Sequence, residues 1–122
     1  MATFTKQKLS GSTNGKGISV VQTATVGTTI HATGTSATTI DELWLYAVNT
    51  HSSALTLTVE LGGVAVASDL IQQSIAATPS GLVLVCAGLI LTGTGAAALT
   101  VTAFCPTTAK IEIFGFVNRI TV

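Results

Sequence analysis

The feature that most constrains this chain is a two-residue alternation of apolar and polar side chains. The alternation is clearest in LTLTVEL, residues 55–61, where leucine and valine alternate with threonine and glutamate. Because successive side chains of a β-strand point to opposite faces of a sheet, this pattern predicts a strand with one buried face. It places Leu57 and Val59 inward and Glu60 outward. Residues 98–104 alternate in the same way, and no part of the chain has a convincing helical period.

About eight strand-like runs follow one another along the 122 residues, separated by turns rich in glycine, proline and serine. Many short strands at regular spacing are typical of sandwiches and barrels. We therefore predict an all-β fold, an antiparallel β-sandwich or a jelly-roll-like barrel, formed by residues 18–122 as one domain. Residues 1–17 have little periodicity and are predicted to be an extended N-terminal arm. The runs 40–49 and 55–61 are close in sequence and are predicted to form a hairpin.

The run IDELWLYAVN, residues 40–49, is apolar on both faces. One face carries Leu43 and Leu45, and the other carries Trp44 and Tyr46. A strand with two apolar faces is covered on both sides, so we predict that Trp44 and Tyr46 pack against the core or a neighbouring protein. A Trp–Tyr pair is also the kind of surface that binds sugar rings, and a carbohydrate-binding β-sandwich module is an alternative.

The surface of this protein is predicted to be poor in charge. Only 8% of the residues are charged, against about 25% in a typical soluble domain. Instead, 22 Thr and 9 Ser make up roughly a quarter of the chain. A threonine-rich surface has little charge repulsion to keep copies apart. The composition therefore favours a protein that packs against others, and a homo-oligomer is expected.

The net charge and the hydropathy of the chain give no support to a nucleic acid partner or to a membrane partner. The net charge is zero, so the composition gives no reason to expect nucleic acid binding. The longest apolar run, residues 81–91, is far shorter than the ~20 residues of a membrane-spanning helix. We predict no nucleic acid and no membrane partner. The chain opens without a signal-peptide pattern, and synthesis in a reducing cytoplasm is expected.

The few charges are unevenly distributed. Lys6, Lys8 and Lys16 give residues 1–17 a charge of +3, and the rest of the chain carries −3. A basic segment of this kind is suited to acidic patches on a partner, and a solvated tail is the alternative.

No recognised catalytic or metal-binding arrangement is present in the sequence. His31 and His51 lie in Thr- and Ser-rich segments, away from both cysteines, and are predicted to be polar surface residues. The five acidic residues are predicted to be solvated or to lie at an interface. We therefore predict no enzyme activity, no catalytic residue, no metal and no cofactor. Cys86 and Cys105 are predicted to be buried free thiols, with a disulfide open if their strands are neighbours.

Three stretches carry a resemblance to a known class of protein. They are DELWLYAVNTHSSALTLTVELGG (41–63), DLIQQSIAATPSGLVLVCAGLIL (69–91) and FGFVNRIT (114–121). Together they resemble small structural proteins of tailed-phage virions, most of all the capsid decoration or cement type. The resemblance covers roughly the last two thirds of the chain and implies a β-sandwich or β-barrel module, often a trimer at local three-fold positions of the head.

The resemblance also implies a function. Such proteins brace neighbouring capsid subunits against internal DNA pressure, so the implied partner is the major capsid protein. The implied location is the capsid exterior of a virion, after synthesis in the host cytoplasm. No catalytic residue is carried over. A head–tail connector, collar or head-fibre component is the alternative within virions.

The expected contact residues combine both lines of reasoning. We predict that Lys6, Lys8 and Lys16 of the arm, together with Trp44 and Tyr46 of the two-sided strand, form capsid or subunit contacts. The arm lies outside the resemblance, so its three lysines are assigned from their charge alone.

Overall fold

In the computed structural model, which describes residues 2–64 and 66–121, the chain is an all-β protein. Its described residues form nine strands and a short 3₁₀ turn at Ala67–Asp69. The strands are β1 (Thr3–Lys8), β2 (Ile18–Ser19), β3 (Thr28–Ala32), β4 (Ile40–Asn49), β5 (Leu55–Leu61), β6 (Leu70–Ile75), β7 (Val83–Thr92), β8 (Thr100–Phe104) and β9 (Ile111–Thr121).

The strands form two antiparallel sheets. The first sheet has the order β1-β9-β4-β7, with the short β2 also paired to β9. The second sheet has the order β3-β8-β5-β6. The predicted antiparallel β-sandwich is confirmed. The described residues contain no helix that is both long and apolar enough to cross a membrane.

The core lies between the two inner faces. From the first sheet it takes Leu43, Leu45 and Ala47 of β4, all fully buried, and from the second sheet Leu57 and Val59 of β5. Each such leucine or valine side chain contributes about 1.5–3 kcal/mol when it leaves water. Burial along β4 alternates residue by residue, so its inner face behaves as the sequence predicts.

The predicted hairpin of residues 40–49 and 55–61 is wrong. β4 pairs with β7 and β9 in the first sheet, whereas β5 pairs with β6 and β8 in the second. The short connection therefore crosses from one sheet to the other. The fully buried Asn49 stabilises this crossing, because its Nδ2 donates to the carbonyls of Ser53 and Ile75 at 3.0 and 3.1 Å, and its Oδ1 accepts from the His51 amide at 2.8 Å.

The predicted N-terminal arm is not confirmed. Thr3–Lys8 is instead the edge strand of the first sheet, paired with β9 from Thr3↔Thr121 to Lys8↔Phe116. Leu9, directly after this strand, is fully buried in the core. Every side chain of β1 is exposed, so backbone pairing with β9 holds the strand in place. Because neither side of β1 is buried, its sequence does not alternate between apolar and polar residues, and the strand could not be predicted from that pattern.

Candidate functional site

The outer face of the first sheet carries a row of interacting side chains across three strands. Trp44 of β4 and Phe116 of β9 are cross-strand partners, with ring centroids 6.0 Å apart and ring planes 8° from parallel. The Lys6 ammonium of β1 lies 4.8 Å from the centroid of the Phe116 ring. A cation at this distance from an aromatic face contributes about 0.5–1 kcal/mol at an exposed site. The row is therefore organised as cation, phenyl ring and indole.

Trp44 is held in place by polar contacts as well as by packing. Its Nε1 donates to Oε1 of Glu42 at 2.7 Å, and Nδ2 of Asn118 donates to the same oxygen at 2.9 Å. The hydrogen bonds from Trp44 and then Asn118 lower the pKa of Glu42 below its ordinary value. Gly88 adopts φ +77°, and a Cβ there would lie 3.3 Å from Cζ2 of Trp44. The indole is thus fixed in orientation on the sheet.

A second aromatic pair continues the face. Tyr46 of β4 is the cross-strand partner of Phe114 of β9. The loop between β1 and β2 packs beside it, because a Cβ on Gly17 would lie 2.8 Å from Cζ of Phe114. We call Lys6, Trp44, Tyr46, Phe114 and Phe116 the aromatic face.

Large apolar side chains surround the aromatic face and are open to solvent. Phe4 is 70% exposed, Leu84 47% and Ile90 60%. Their cross-strand partners Ile120, Tyr46 and Glu42 place all three on the same side of the first sheet. Exposed apolar patches on a small protein commonly mark an interaction surface.

The structure gives each predicted contact residue a definite place. Lys6 and Trp44 come together through Phe116, and Tyr46 follows two residues later on the same face of β4. Lys8 lies on the same side of β1 as Lys6 and is the cross-strand partner of Phe116. Lys16 is exposed in the loop before β2, next to the glycine that packs on Phe114. Their role in contacts stays a prediction.

A buried ion network joins β4 and β9 of the first sheet to β3 of the second sheet, and the sequence did not predict it. Asp41 is 1% exposed and His31 is 2% exposed. Nε2 of His31 lies 2.7 Å from Oδ2 of Asp41, and Arg119 binds the same carboxylate through Nε at 2.7 Å and Nη2 at 2.8 Å. The prediction that Asp41 is solvated or lies at an interface is therefore wrong, and so is the prediction that His31 is a surface residue. Asp41 is two residues before Leu43 and four before Leu45, so it points to the same side of β4 as they do. This spacing is the sequence feature that could have predicted its burial.

The hydrogen bonds assign the tautomer of His31. The backbone N–H of Ser10 donates to Nδ1 at 3.0 Å, so Nδ1 must be the acceptor and Nε2 carries the proton given to Asp41. The Ser10 hydroxyl accepts from the amide of Ala32 at 2.7 Å. Ser10 thus meets the imidazole through its backbone, which differs from the hydroxyl contact of a Ser-His-Asp triad.

Charge balance explains why Asp41 is stable in the interior. Burial pushes the pKa of Asp41 upward, but the hydrogen bonds from Arg119 and His31 and the positive charge of Arg119 together bring it below its ordinary value. The hydrogen bond to Asp41 also raises the pKa of Arg119. A bidentate guanidinium–carboxylate pair of this kind is strongly directional, so it ties the end of β9 to the start of β4.

Glu60 is a second buried acid, and its predicted solvation is also wrong. It points away from the core as the alternation predicts, but it is fully buried. Its carboxylate accepts hydrogen bonds from the Thr25 hydroxyl, the Gly27 amide at 2.8 Å and the Thr102 hydroxyl at 2.8 Å. Burial raises the pKa of Glu60, and these three bonds bring it below its ordinary value. The segment before β3 therefore covers the outer face of the second sheet.

The two cysteines are buried and free, as predicted. Burial raises the pKa of both the Cys86 and the Cys105 thiol. Across residues 2–64 and 66–121, no three His, Cys, Asp or Glu side chains are grouped so that they could hold a metal ion.

A pocket of about 530 Å³ lies beside β1, above the buried ion network. Ligand pockets commonly have volumes of about 300–1,000 Å³. None of the nine described residues that line it is acidic, and they are Lys6, Gln7, Lys8, Ser10, His31, Ala32, Thr33, Gly34 and Arg119.

Comparison of the chain with protein-family models, curated proteins and solved structures finds no match. The resemblance to capsid decoration proteins therefore stays a prediction.

Proposed function

We propose that this chain is a structural virion protein that binds the assembled capsid from outside and stabilises it as a decoration protein. The observation that carries the proposal is the aromatic face with its open apolar surroundings. Phe4, Leu84 and Ile90 stand exposed beside a row of ordered aromatic rings. The low charge of the chain supports the same reading, because few charges oppose close packing.

The energetics of such a contact are favourable. Full burial of a side chain the size of leucine or phenylalanine contributes about 1.5–3 kcal/mol. Association costs about 4–15 kcal/mol in lost freedom, so several such anchors are needed before binding is stable. Phe4, Leu84 and Ile90 are 47–70% exposed and gain only part of this free energy, so the contact has to include the aromatic rings as well. Trp44 is already oriented by Glu42 and Asn118, which reduces the ordering cost at the interface.

The partner in this proposal is the major capsid protein, and the chain binds it as a homo-oligomer, with a trimer favoured. Closed symmetry lets copies cover part of one another's exposed apolar surface. Cement proteins reinforce a shell by bridging neighbouring subunits, and a trimer presents three copies of the contact at once, which raises avidity. Native mass spectrometry of the purified chain measures the oligomer.

The test is cosedimentation of the purified chain with capsids assembled from the major capsid protein encoded in the same genome. We expect the wild-type chain to pellet with capsids, and Leu84→Asp to stay in the supernatant. Val21→Asp is the matched control, because Val21 is also 47% exposed but lies outside the aromatic face. A wild-type chain that never pellets with capsids contradicts the proposal.

Copy number separates decoration from the connector, collar or head-fibre alternative. Decoration predicts copies over the whole shell, whereas a connector predicts a single ring at one vertex. Electron cryo-microscopy of particles distinguishes the two distributions directly.

A carbohydrate-binding module is a second candidate, favoured by the polar groups around one indole. Glu42, Asn118 and Lys6 all lie beside Trp44 and Phe116, and a sugar site combines an aromatic plane with such groups. A glycan array decides this point. Binding that Trp44→Ala abolishes and Leu84→Asp leaves intact supports the sugar site, and an array without signal removes it.

A further inference from the structure

The free edge of β1 lies next to the basic pocket. β1 pairs only with β9 among the described strands, so its other edge presents unpaired backbone groups. All six of its side chains are exposed. An open edge of this kind can accept an additional strand from another chain. The pocket lies along the end of this edge, from Lys6 to Ser10.

The charge of the pocket selects the kind of strand. Lys6, Lys8 and Arg119 are cationic, and no acidic residue is among its described lining. Arg119 is 26% exposed, and its bonds to Asp41 use two of the five N–H donors of a guanidinium. Its remaining donors lie on the opposite side of the sheet from Lys6 and Lys8, the side to which the intervening side chains of an added strand point. Asp41, which contacts His31 and Arg119 of the lining, is itself 1% exposed.

The floor of the pocket is rigid. His31 is held from both ring nitrogens, by the Ser10 amide and by Asp41. Ser10 in turn accepts a hydrogen bond from Ala32, and the Gly11 amide donates to the Ile30 carbonyl at 2.9 Å. These bonds tie the end of β1 to β3 across the sandwich. A site that is ordered before binding loses less conformational freedom when a ligand arrives.

We propose that this pocket and the β1 edge bind an extended acidic peptide segment, which adds to the first sheet as a further strand. Side chains of a strand repeat every two residues, so carboxylates at alternate positions point to one side of the sheet, the side on which Lys6 and Lys8 lie. The edge of β1 from Thr3 to Lys8 accommodates a segment of about six residues, at about 3.3 Å per residue, and its last three residues line the pocket. The inference rests on the proposed function in one respect: the segment is assigned to the capsid protein.

The probe is a synthetic peptide, Thr-Glu-Val-Glu-Thr-Glu-Val, blocked at both ends, with affinity measured by isothermal titration calorimetry. We expect binding that weakens at least tenfold for Lys6→Glu/Lys8→Glu and for a peptide with glutamine in place of glutamate. The matched control is Lys16→Glu/Lys110→Glu, which changes the net charge equally at two exposed lysines away from the pocket. The control variant is expected to stay within twofold of wild type.

Backbone pairing is tested with two N-methylated isomers of the same peptide. One carries methyl groups on the glutamate nitrogens, and the other carries them on the alternate residues. An added strand uses one edge of the peptide, so one isomer is expected to lose at least tenfold in affinity and the other to retain it. Amide chemical shifts are expected to move in residues 3–10 and 31–34.

Several outcomes overturn the inference. They are absence of peptide binding, equal binding by both N-methylated isomers, equal loss in the control variant, and inorganic phosphate that binds as tightly as the peptide. The last result identifies a simple anion site. Failure of capsid cosedimentation overturns the proposed function alone, because the peptide titration still decides the inference. Peptide failure with intact cosedimentation overturns the inference alone.

Discussion

The outer face of the second sheet is polar and covered, whereas the outer face of the first sheet is aromatic and partly open. On the second sheet, the buried Glu60 accepts hydrogen bonds from the Gly27 amide of the segment before β3 and from the Thr102 hydroxyl of β8, so its acceptors are satisfied from within the chain. On the first sheet, the half-buried Trp44 and Phe116 stack on the outer face, which also carries the 60%-exposed Ile90.

The comparison shows two ways in which the outward-facing side chains of a sheet can be covered, by the chain itself or by another molecule. A buried carboxylate requires hydrogen-bond donors at fixed positions, and the chain supplies them itself. An aromatic face needs only apolar contact, which another molecule can supply. The face that this chain leaves uncovered is thus the one that a partner can cover, provided that the partner also pairs the charges of Lys6 and Glu42 on that face. Four predictions test this contrast.

Acid is expected to have the largest effect, because it protonates the carboxylates on which the covered face and the core depend. The folded pKa values of Asp41 and Glu60 lie below their ordinary values of 3.8 and 4.5. A carboxyl group whose pKa is lower in the folded than in the unfolded protein stabilises the fold. This stabilisation is fully present at pH values above the unfolded pKa and is lost as the pH falls through the folded pKa. Urea unfolding is expected to give a constant free energy of unfolding near neutral pH and a falling one below about pH 4. A free energy that does not change over this range contradicts the prediction.

Glu60→Ala is expected to release the covered face. The substitution leaves the Gly27 amide and the Thr102 hydroxyl without their acceptor, at a cost of about 1–3 kcal/mol per buried donor. We expect the free energy of unfolding to fall by about 2–4 kcal/mol, and amide hydrogen exchange to accelerate in residues 22–27. Asp69→Ala, at a partly exposed acid in the 3₁₀ turn, is the control and is expected to be near neutral. Slow exchange in residues 22–27 of the Glu60 variant counts against the anchoring role.

Gly88→Ala is expected to disturb the aromatic face by a smaller amount. Gly88 has φ +77° and would place a Cβ 3.3 Å from the Trp44 ring, whereas Gly81 has φ +68° with nothing near its Cβ. Both alanine variants pay about 1–2 kcal/mol for the left-handed backbone, and only Gly88→Ala also displaces the indole. We expect a shift of tryptophan fluorescence in that variant alone. Identical spectra for the two variants contradict the close packing of Trp44 on Gly88.

Lys6→Ala is expected to have the smallest effect. It removes the ammonium 4.8 Å from the Phe116 ring centroid, and a contact of this kind contributes about 0.5–1 kcal/mol. A double-mutant cycle with Phe116→Leu isolates the pairwise free energy from the general loss of charge. A coupling free energy of zero shows that the lysine is merely near the ring.

The candidate site was predictable in part. Trp44 and Tyr46 were correctly placed on the side of β4 opposite Leu43 and Leu45, because this follows from parity along one strand. Their stacking partners were not predictable, since Phe116 and Phe114 reach them only through the register of β4 and β9. The network of His31, Asp41 and Arg119 was not predictable for the same reason. Arg119 is 78 residues from Asp41 in sequence, and the three side chains meet only through the tertiary structure.

The sequence by itself determined the strand type, the bounds 40–49 and 55–61, and the burial of Leu43, Leu45, Leu57 and Val59. These features depend on the two-residue period of a strand, which is local. Only the tertiary structure decided that β4 and β5 belong to different sheets, that residues 3–8 form an edge strand, and that Glu60 is covered. Pairing and covering depend on contacts between distant segments, and a two-residue period carries no information about which segments meet.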